Sequence, residues 1–284
     1  RMDRKLIVLR ENWKFHLEEE MEKEHSRDFH TGSPGQEGYL RSAAAGAWYK
    51  GFDDSGWRSV TVPHDWSVEQ PFSKRYSSGT GYLAGGTGWY RVHFRLPEGC
   101  RGKSLRVVFD GVYKNSQVWC NSYYLGQRPY GYSTFSCDIS DFAVFGEQDN
   151  QISVKVTHTD LADSRWFTGS GITRKVTLVI EEAVHPAEYG VTFRTESISR
   201  REGGSAQEKD AQTFAEISVI HEMVNAAEDA AELTVTTELV DGDGHMAARL
   251  KGCVKLPAGE EGPAYGRAQK DCPRKLVLKG VVEN

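Results

Sequence analysis

Alternating apolar and polar positions recur along most of the chain. The alternation is clearest over residues 89–96, 104–109 and 150–157, where apolar side chains return at every second position. This is the period of a half-buried β-strand. Turn residues separate the runs, and no stretch of ten or more residues before residue 180 has a helical period. The pattern predicts an all-β sandwich or barrel.

The texture of the sequence changes near residue 180. Aromatic residues become scarce, and alternating runs at 213–220 and 231–240 precede a last apolar run at 275–278. The pattern is typical of a small immunoglobulin-like sandwich, but it holds fewer runs than the roughly seven strands of a complete one. We therefore predict two domains, residues 1–182 and residues 183–284, and expect the second to be truncated.

Composition argues against several classes of protein. The net charge of −5 gives no support for a nucleic-acid or membrane-surface partner. No run reaches the roughly 18 apolar residues that span a bilayer. The five cysteines are odd in number and lack a CxxC pair, so free thiols in a reducing compartment are expected. With Met2 taken as the natural start, we expect a cytoplasmic protein.

The glycine-rich stretch at 76–88 precedes a strand and lacks a following Lys-Ser/Thr pair, which argues against a phosphate-binding loop.

Residues 160–179 hold the densest group of polar and aromatic side chains. They contain Asp163, Arg165, Trp166 and a Gly-Ser-Gly turn, directly before an alternating strand. A carboxylate accepts hydroxyl protons, a guanidinium donates in a fork, and an indole face stacks on apolar ring faces. Such side chains suit a sugar, so we expect a binding site in this loop.

Four motifs carry a family resemblance, and they occur in order along the chain. They are FDDSGWRSVTVPHDW, GGTGWYRVHFRLP, VVFDGVYKNSQVWCNSYYLGQRPYGYSTFSCDIS and DSRWFTGSGITRKVTL. Together they resemble the N-terminal portion of glycoside hydrolase family 2, and most of all its bacterial β-galactosidases. The resemblance implies a jelly-roll (galactose-binding-like) sandwich, then an immunoglobulin-like sandwich, then a catalytic (β/α)8 barrel.

The resemblance also implies that catalysis lies outside this chain. Retaining glycoside hydrolysis needs two carboxyl groups about 5 Å apart. In this family two glutamates on the barrel supply them, and a barrel takes about 250 residues, for which the sequence has no room. We expect a non-catalytic part of a retaining enzyme of carbohydrate metabolism, inactive alone, with no catalytic residue among these 284. The barrel decides the sugar, since β-glucuronidases and β-mannosidases share this front end.

For the loop at 160–179 the resemblance implies one wall of the sugar pocket. Asp163, Arg165 and Trp166 are the predicted substrate-binding residues. The alternative is that Arg165 and Trp166 hold the jelly roll against the barrel. Gly169 and Gly171 are expected to set the loop geometry.

Two other functions remain open. A stand-alone carbohydrate-binding module would need exposed aromatic residues, for which Tyr130, Tyr132 and Phe135 are candidates. A structural or oligomerisation role is the other, because N-terminal domains of this family help to build oligomers. The sequence Asp241-Gly-Asp-Gly lacks EF-hand spacing and predicts a hairpin turn, so no metal and no cofactor are expected in this chain.

Overall fold

The computed structural model describes residues 4–18, 46–160, 163–201, 212–259 and 274–283. In chain order its strands are β1 (Arg4–Val8), β2 (Trp13–Leu17), β3 (Arg58–Val60), β4 (Gly86–Arg95), β5 (Ser104–Phe109), β6 (Ser116–Cys120), β7 (Tyr123–Arg128), β8 (Phe135–Asp138), β9 (Asp149–His158), β10 (Val176–Glu181), β11 (Val184–Arg201), β12 (Gln212–Asn225), β13 (Ala231–Val240), β14 (Met246–Leu256) and β15 (Arg274–Glu283). Short 3-10 turns are the only helical segments in these ranges. The predicted all-β class is therefore confirmed. Two compact units divide between Ile180 and Glu181, two residues before the predicted boundary.

The first unit is a sandwich of two sheets. One has the strand order β1-β10-β5-β8 and the other β3-β2-β4-β9-β6-β7. In the six-stranded sheet every strand is antiparallel to its neighbours. The core is made by side chains buried on both sheets, among them Trp13, Phe15, Tyr90, Leu105, Phe109, Ile152 and Leu178. Side chains that face the core recur at every second position of each strand. The apolar alternation in the sequence therefore marks the positions that face this core.

The outer face of the six-stranded sheet is covered by the loop at 46–57. Arg91 of β4 is fully buried there, and its Nε donates to the Asp54 carboxylate at 2.7 Å. Its guanidinium also donates to the carbonyl oxygens of Ala47 and Tyr49 in the same loop. This cover explains why β4 is buried on both faces over most of its length.

The second unit pairs the sheet β11-β12-β15 with the hairpin β13-β14. Its centre is formed by buried Ile217 and Val219 on β12 and Leu278 on β15. The hairpin packs on this layer so closely that a Cβ at Gly252 would lie 2.6 Å from Leu278. This layer is the beginning of the immunoglobulin-like sandwich that the sequence predicts.

Candidate functional site

The segment of residues 163–170, here called the wall loop, lies between β9 and β10. Directly after it, Gly171 and Tyr113 exchange two backbone hydrogen bonds of 2.9 Å each. Gly171 has φ +128°, and a Cβ there would collide with the Tyr90 hydroxyl and the His64 carbonyl. The close approach to β4 therefore requires glycine, which agrees with the structural role expected for this turn.

Asp163 begins the wall loop and lies beside Tyr113, Lys114 and His158. Its Oδ2 accepts from the Tyr113 hydroxyl at 2.6 Å and lies 2.9 Å from the Lys114 ammonium. His158 Nε2 is 3.3 Å from the same oxygen, out of line for a hydrogen bond. The Asp163 side chain is only 8% exposed. Its other oxygen, Oδ1, is buried without a hydrogen-bond partner among the described residues.

The donors fix the charge of this cluster. Burial alone would raise the pKa of Asp163, but the bonds from Tyr113 and Lys114 outweigh it and lower the pKa below the usual value. Burial and the adjacent carboxylate raise the pKa of Tyr113, so its phenol keeps the proton that it donates. Lys114 also pairs with Asp160, and despite burial the two carboxylates raise its pKa. Asp163 is thus a fixed anion and cannot serve as a general acid near neutral pH.

His158, the last residue of β9, contacts the wall loop at both ends. Its Nδ1 is 2.7 Å from the Ser170 hydroxyl, which is 2.6 Å from the Ser67 hydroxyl. The order Asp163, His158, Ser170 has the connectivity of a hydrolase triad. Ser170 is fully buried and Ser67 almost so, which leaves no room for a substrate at either oxygen. The three side chains are therefore suited to holding the loop and the Asp163 charge in place, and not to nucleophilic attack.

Arg165 and Trp166 lie on the outer side of the wall loop. Both are exposed, Trp166 to 61%, and the Trp166 indole donates to the Tyr132 hydroxyl at 2.9 Å. Tyr132 in turn makes edge contacts with Tyr113 and Tyr130, at centroid distances of 5.2 Å and 5.7 Å. The exposed and connected rings of Tyr130, Tyr132 and Trp166 are called the aromatic surface below.

The predicted site residues thus share one loop but have different surroundings. Asp163 is buried beneath the loop, whereas Arg165 and Trp166 face solvent. Phe135 is not part of the aromatic surface, because it stacks on Phe109 at 5.0 Å beside the core.

Sequence reasoning did not identify Tyr113, Lys114 and His158 as parts of the site. Tyr113 and Lys114 reach the loop from the segment before β6, far away in sequence. The available signal was a histidine, His158, ending a strand of apolar alternation close before Asp163.

Among the described residues, one group of three side chains could hold a metal ion: Asp241, Asp243 and His245, all exposed. The Asp241 carboxylate already accepts the backbone N–H groups of Asp243 and His245, as in an ordinary hairpin turn. The expected absence of a metal stays a prediction. Within the described ranges, no helix is long and apolar enough to cross a membrane.

Comparisons with known proteins agree with this architecture. The family model for the sugar binding domain of glycosyl hydrolases family 2 matches residues 8–181. The β-galactosidase BoGH2A of Bacteroides ovatus is 35% identical over 213 residues, which cover 74% of this chain and 24% of that protein. A β-glucuronidase of Formosa agariphila is 28% identical over 234 residues, covering 74% of this chain and 22% of the relative.

A solved structure is similar over nearly the whole chain. The crystal structure of a β-glycosidase from Bacteroides vulgatus matches with a TM-score of 0.70 and 28% identity, covering 98% of this chain and 29% of that one. The predicted jelly roll followed by an immunoglobulin-like sandwich is thereby confirmed. The chain spans about a quarter of the length of the relatives that it matches. Because the family model matches residues 8–181, the chain belongs to glycosyl hydrolase family 2.

Proposed function

We propose that this chain is the N-terminal, non-catalytic part of a retaining glycosidase that acts on a terminal β-galactoside. Its wall loop forms one side of the sugar pocket. The observation that carries this proposal is the exposed Trp166 indole, which is hydrogen-bonded to Tyr132 and lies in the same loop as the buried anion of Asp163. The name of the Bacteroides ovatus relative, a β-galactosidase, supports this choice of sugar.

Each side chain has a chemical part in this wall. The Trp166 face stacks on the C–H side of a pyranose, and Arg165 donates to ring hydroxyls. Asp163 Oδ1 has no hydrogen-bond partner among the described residues, and in this proposal it is the atom that accepts a sugar hydroxyl. Tyr113 and Lys114 hold the carboxylate in place from behind.

The chain alone is expected to be inactive. A retaining mechanism needs one protonated carboxyl and one carboxylate about 5 Å apart. Asp163 cannot be the acid, since its pKa is lowered. Incubation of the 284-residue chain with an aryl β-galactoside tests this point. Turnover above a protein-free blank would contradict it.

The wall itself is tested in the whole enzyme to which this chain belongs. Trp166→Ala should lower kcat/KM by about tenfold, because stacking on the sugar is lost. Tyr123→Ala is the matched control, since Tyr123 is half exposed at the opposite end of β7 from Tyr130. Equal kcat/KM values for both variants would contradict the proposal that the wall loop contacts the sugar. Parallel assays with aryl β-galactoside and β-glucuronide identify the preferred sugar.

A second candidate function follows from the aromatic surface, whose three exposed rings could bind sugar without a barrel. On this reading the chain is a stand-alone carbohydrate-binding module. Calorimetric titration of the chain with galactose and lactose separates the two proposals. Heat that saturates and disappears in Trp166→Ala favours the module, and no heat at millimolar sugar contradicts it.

A further inference from the structure

The two ends of the wall loop meet at one imidazole. His158 Nε2 is 3.3 Å from Asp163, the first residue of the loop, and Nδ1 is 2.7 Å from the hydroxyl of Ser170, the last. His158 is only 4% exposed and is the last residue of β9, paired with Gly86 of β4. The ring therefore connects both ends of an exposed loop to the edge of a rigid sheet.

Two buried hydroxyls continue the chain of contacts from this ring. Ser170 Oγ lies 2.6 Å from Ser67 Oγ, which lies 2.8 Å from the carbonyl oxygen of Ala84. Each hydroxyl has a single proton, so the hydrogen bonds along this series of contacts must all be donated in the same direction. If they point toward Ala84, His158 carries its proton on Nδ1. If they point toward His158, Nδ1 accepts and the proton is on Nε2.

The charges around the ring decide between these two arrangements. With the proton on Nδ1, the Nε2 lone pair would face the Asp163 carboxylate at 3.3 Å. With the proton on Nε2, the positive N–H end of the ring faces the carboxylate, so this 3.3 Å contact becomes attractive even though it is not aligned as a hydrogen bond. The cost is the one neutral hydrogen bond from Ser67 to Ala84, whereas the gain is the change from a repulsive to an attractive contact with a full charge.

The other charged groups near the ring do not reverse this preference. Lys114 is held between Asp160 and Asp163, so its charge is already matched. Among the contacts of the described residues, none joins Asp65 to Nε2, and the Asp65 Oδ1 accepts the backbone N–H groups of Ser67 and Ser170.

We propose that His158 is a positioning residue for the wall loop, a neutral imidazole with its proton on Nε2 that ties Asp163 to Ser170. It fixes the distance between the loop ends and so the placement of Trp166. The use of this tie in a sugar pocket rests on the proposed function, whereas the tie itself can be measured without sugar.

Long-range 1H–15N NMR of the histidine rings in the 284-residue chain tests the tie directly. At neutral pH, His158 should show a neutral ring protonated on Nε2; its signal is assigned by contacts with the Tyr113 ring. Asp163→Asn should move the proton to Nδ1, because an amide can donate to the Nε2 lone pair. Asp160→Asn, which keeps Asp163 and removes the other carboxylate paired with Lys114, should leave it in place. An Nδ1 proton in the parent chain, or no change in Asp163→Asn, would overturn the proposal.

The loop gives the second readout. In His158→Gln the Trp166 indole signal should broaden or lose its heteronuclear NOE, while the exposed control His93→Gln leaves it unchanged. Should His158→Gln not fold, Ser170→Ala removes one end of the tie and is expected to act in the same direction. An ordered indole in a folded variant contradicts the positioning role. A failed sugar experiment with an intact tie would count against the proposed function alone.

Discussion

The two units bury their apolar side chains to very different degrees. In the first, one continuous core joins both sheets, and the loop at 46–57 adds a second layer of packing around Trp57 and Trp89. In the second, burial is concentrated on β12 and its contacts. Phe193 of β11 pairs with buried Val219 and so shares its face, yet Phe193 is 53% exposed.

The difference follows from how many strands cover each sheet. The hairpin β13-β14 packs over β15, where Gly252 and Gly280 admit Leu278 and Leu250. Among the described residues nothing covers β11 to the same extent, and residues 191–200 are exposed throughout. The wall loop therefore belongs to the unit that can hold side chains rigidly, as a binding site requires.

The largest expected effect comes from a buried charge in the first unit. Arg91→Met leaves the Asp54 carboxylate without its partner and opens the loop at 46–57, which should cost about 3–5 kcal/mol of unfolding free energy. Arg95→Met on the same strand breaks an exposed pair with Asp149 and should cost less than about 1 kcal/mol. Urea unfolding followed by tryptophan fluorescence measures both, since all seven tryptophans precede residue 181. If both variants lost a similar amount of unfolding free energy, the burial of the Arg91 charge would not contribute to stability as expected.

A smaller contrast is expected inside the second unit. Leu278→Ala empties a buried position and should cost about 2 kcal/mol or more. Phe193→Ala, on the same face, should cost about 1 kcal/mol or less because the ring is half exposed already. Hydrogen exchange of the β12 and β15 amides reports on this unit. A loss for Phe193→Ala as large as that for Leu278→Ala would mean that β11 is covered in solution.

The sequence pattern predicts strands well where a single rule decides. In β5 the alternating Leu105, Val107 and Phe109 all point into the core, so the period and the fold agree. For residues 121–128, Gly126 favours a hairpin turn around Leu125-Gly126, and this prediction is wrong. The turn is at Asn121 and Ser122, with φ of 47° and 78°, and Gly126 adopts φ +144° beside an irregularity in the register. Both pairs contain a residue that tolerates positive φ, and the pattern alone could not choose between them.

The candidate site shows the same limit. Asp163, Arg165 and Trp166 lie close together in the sequence, so composition was enough to find the loop. Lys114 and His158 come from other segments, and their contacts with Asp163 depend on the pairing of β6 and β9. The local apolar pattern does not say which strands pair. For the same reason, the residues next to Asp163 in the sequence do not indicate that its side chain is buried.

The smallest expected effect concerns the pH dependence of the first unit. Burial lowers the pKa of His158 below its usual value of about 6.5. Between the folded pKa and about 6.5 the unfolded chain therefore binds the extra proton, and unfolding becomes easier as the pH falls through this window. One site contributes a slope of at most about 1.4 kcal/mol per pH unit. In urea titrations from pH 7.5 downward, His158→Gln should reduce this slope to the part contributed by His64, whose pKa burial also lowers, and the exposed control His93→Gln should keep the full slope. The Asp163 carboxylate does not confuse the result, because its pKa is lowered and its contribution is lost only in a more acidic range. If the parent chain and His158→Gln lost stability equally between pH 7 and 6, the buried His158 imidazole would not contribute to the pH dependence of this unit.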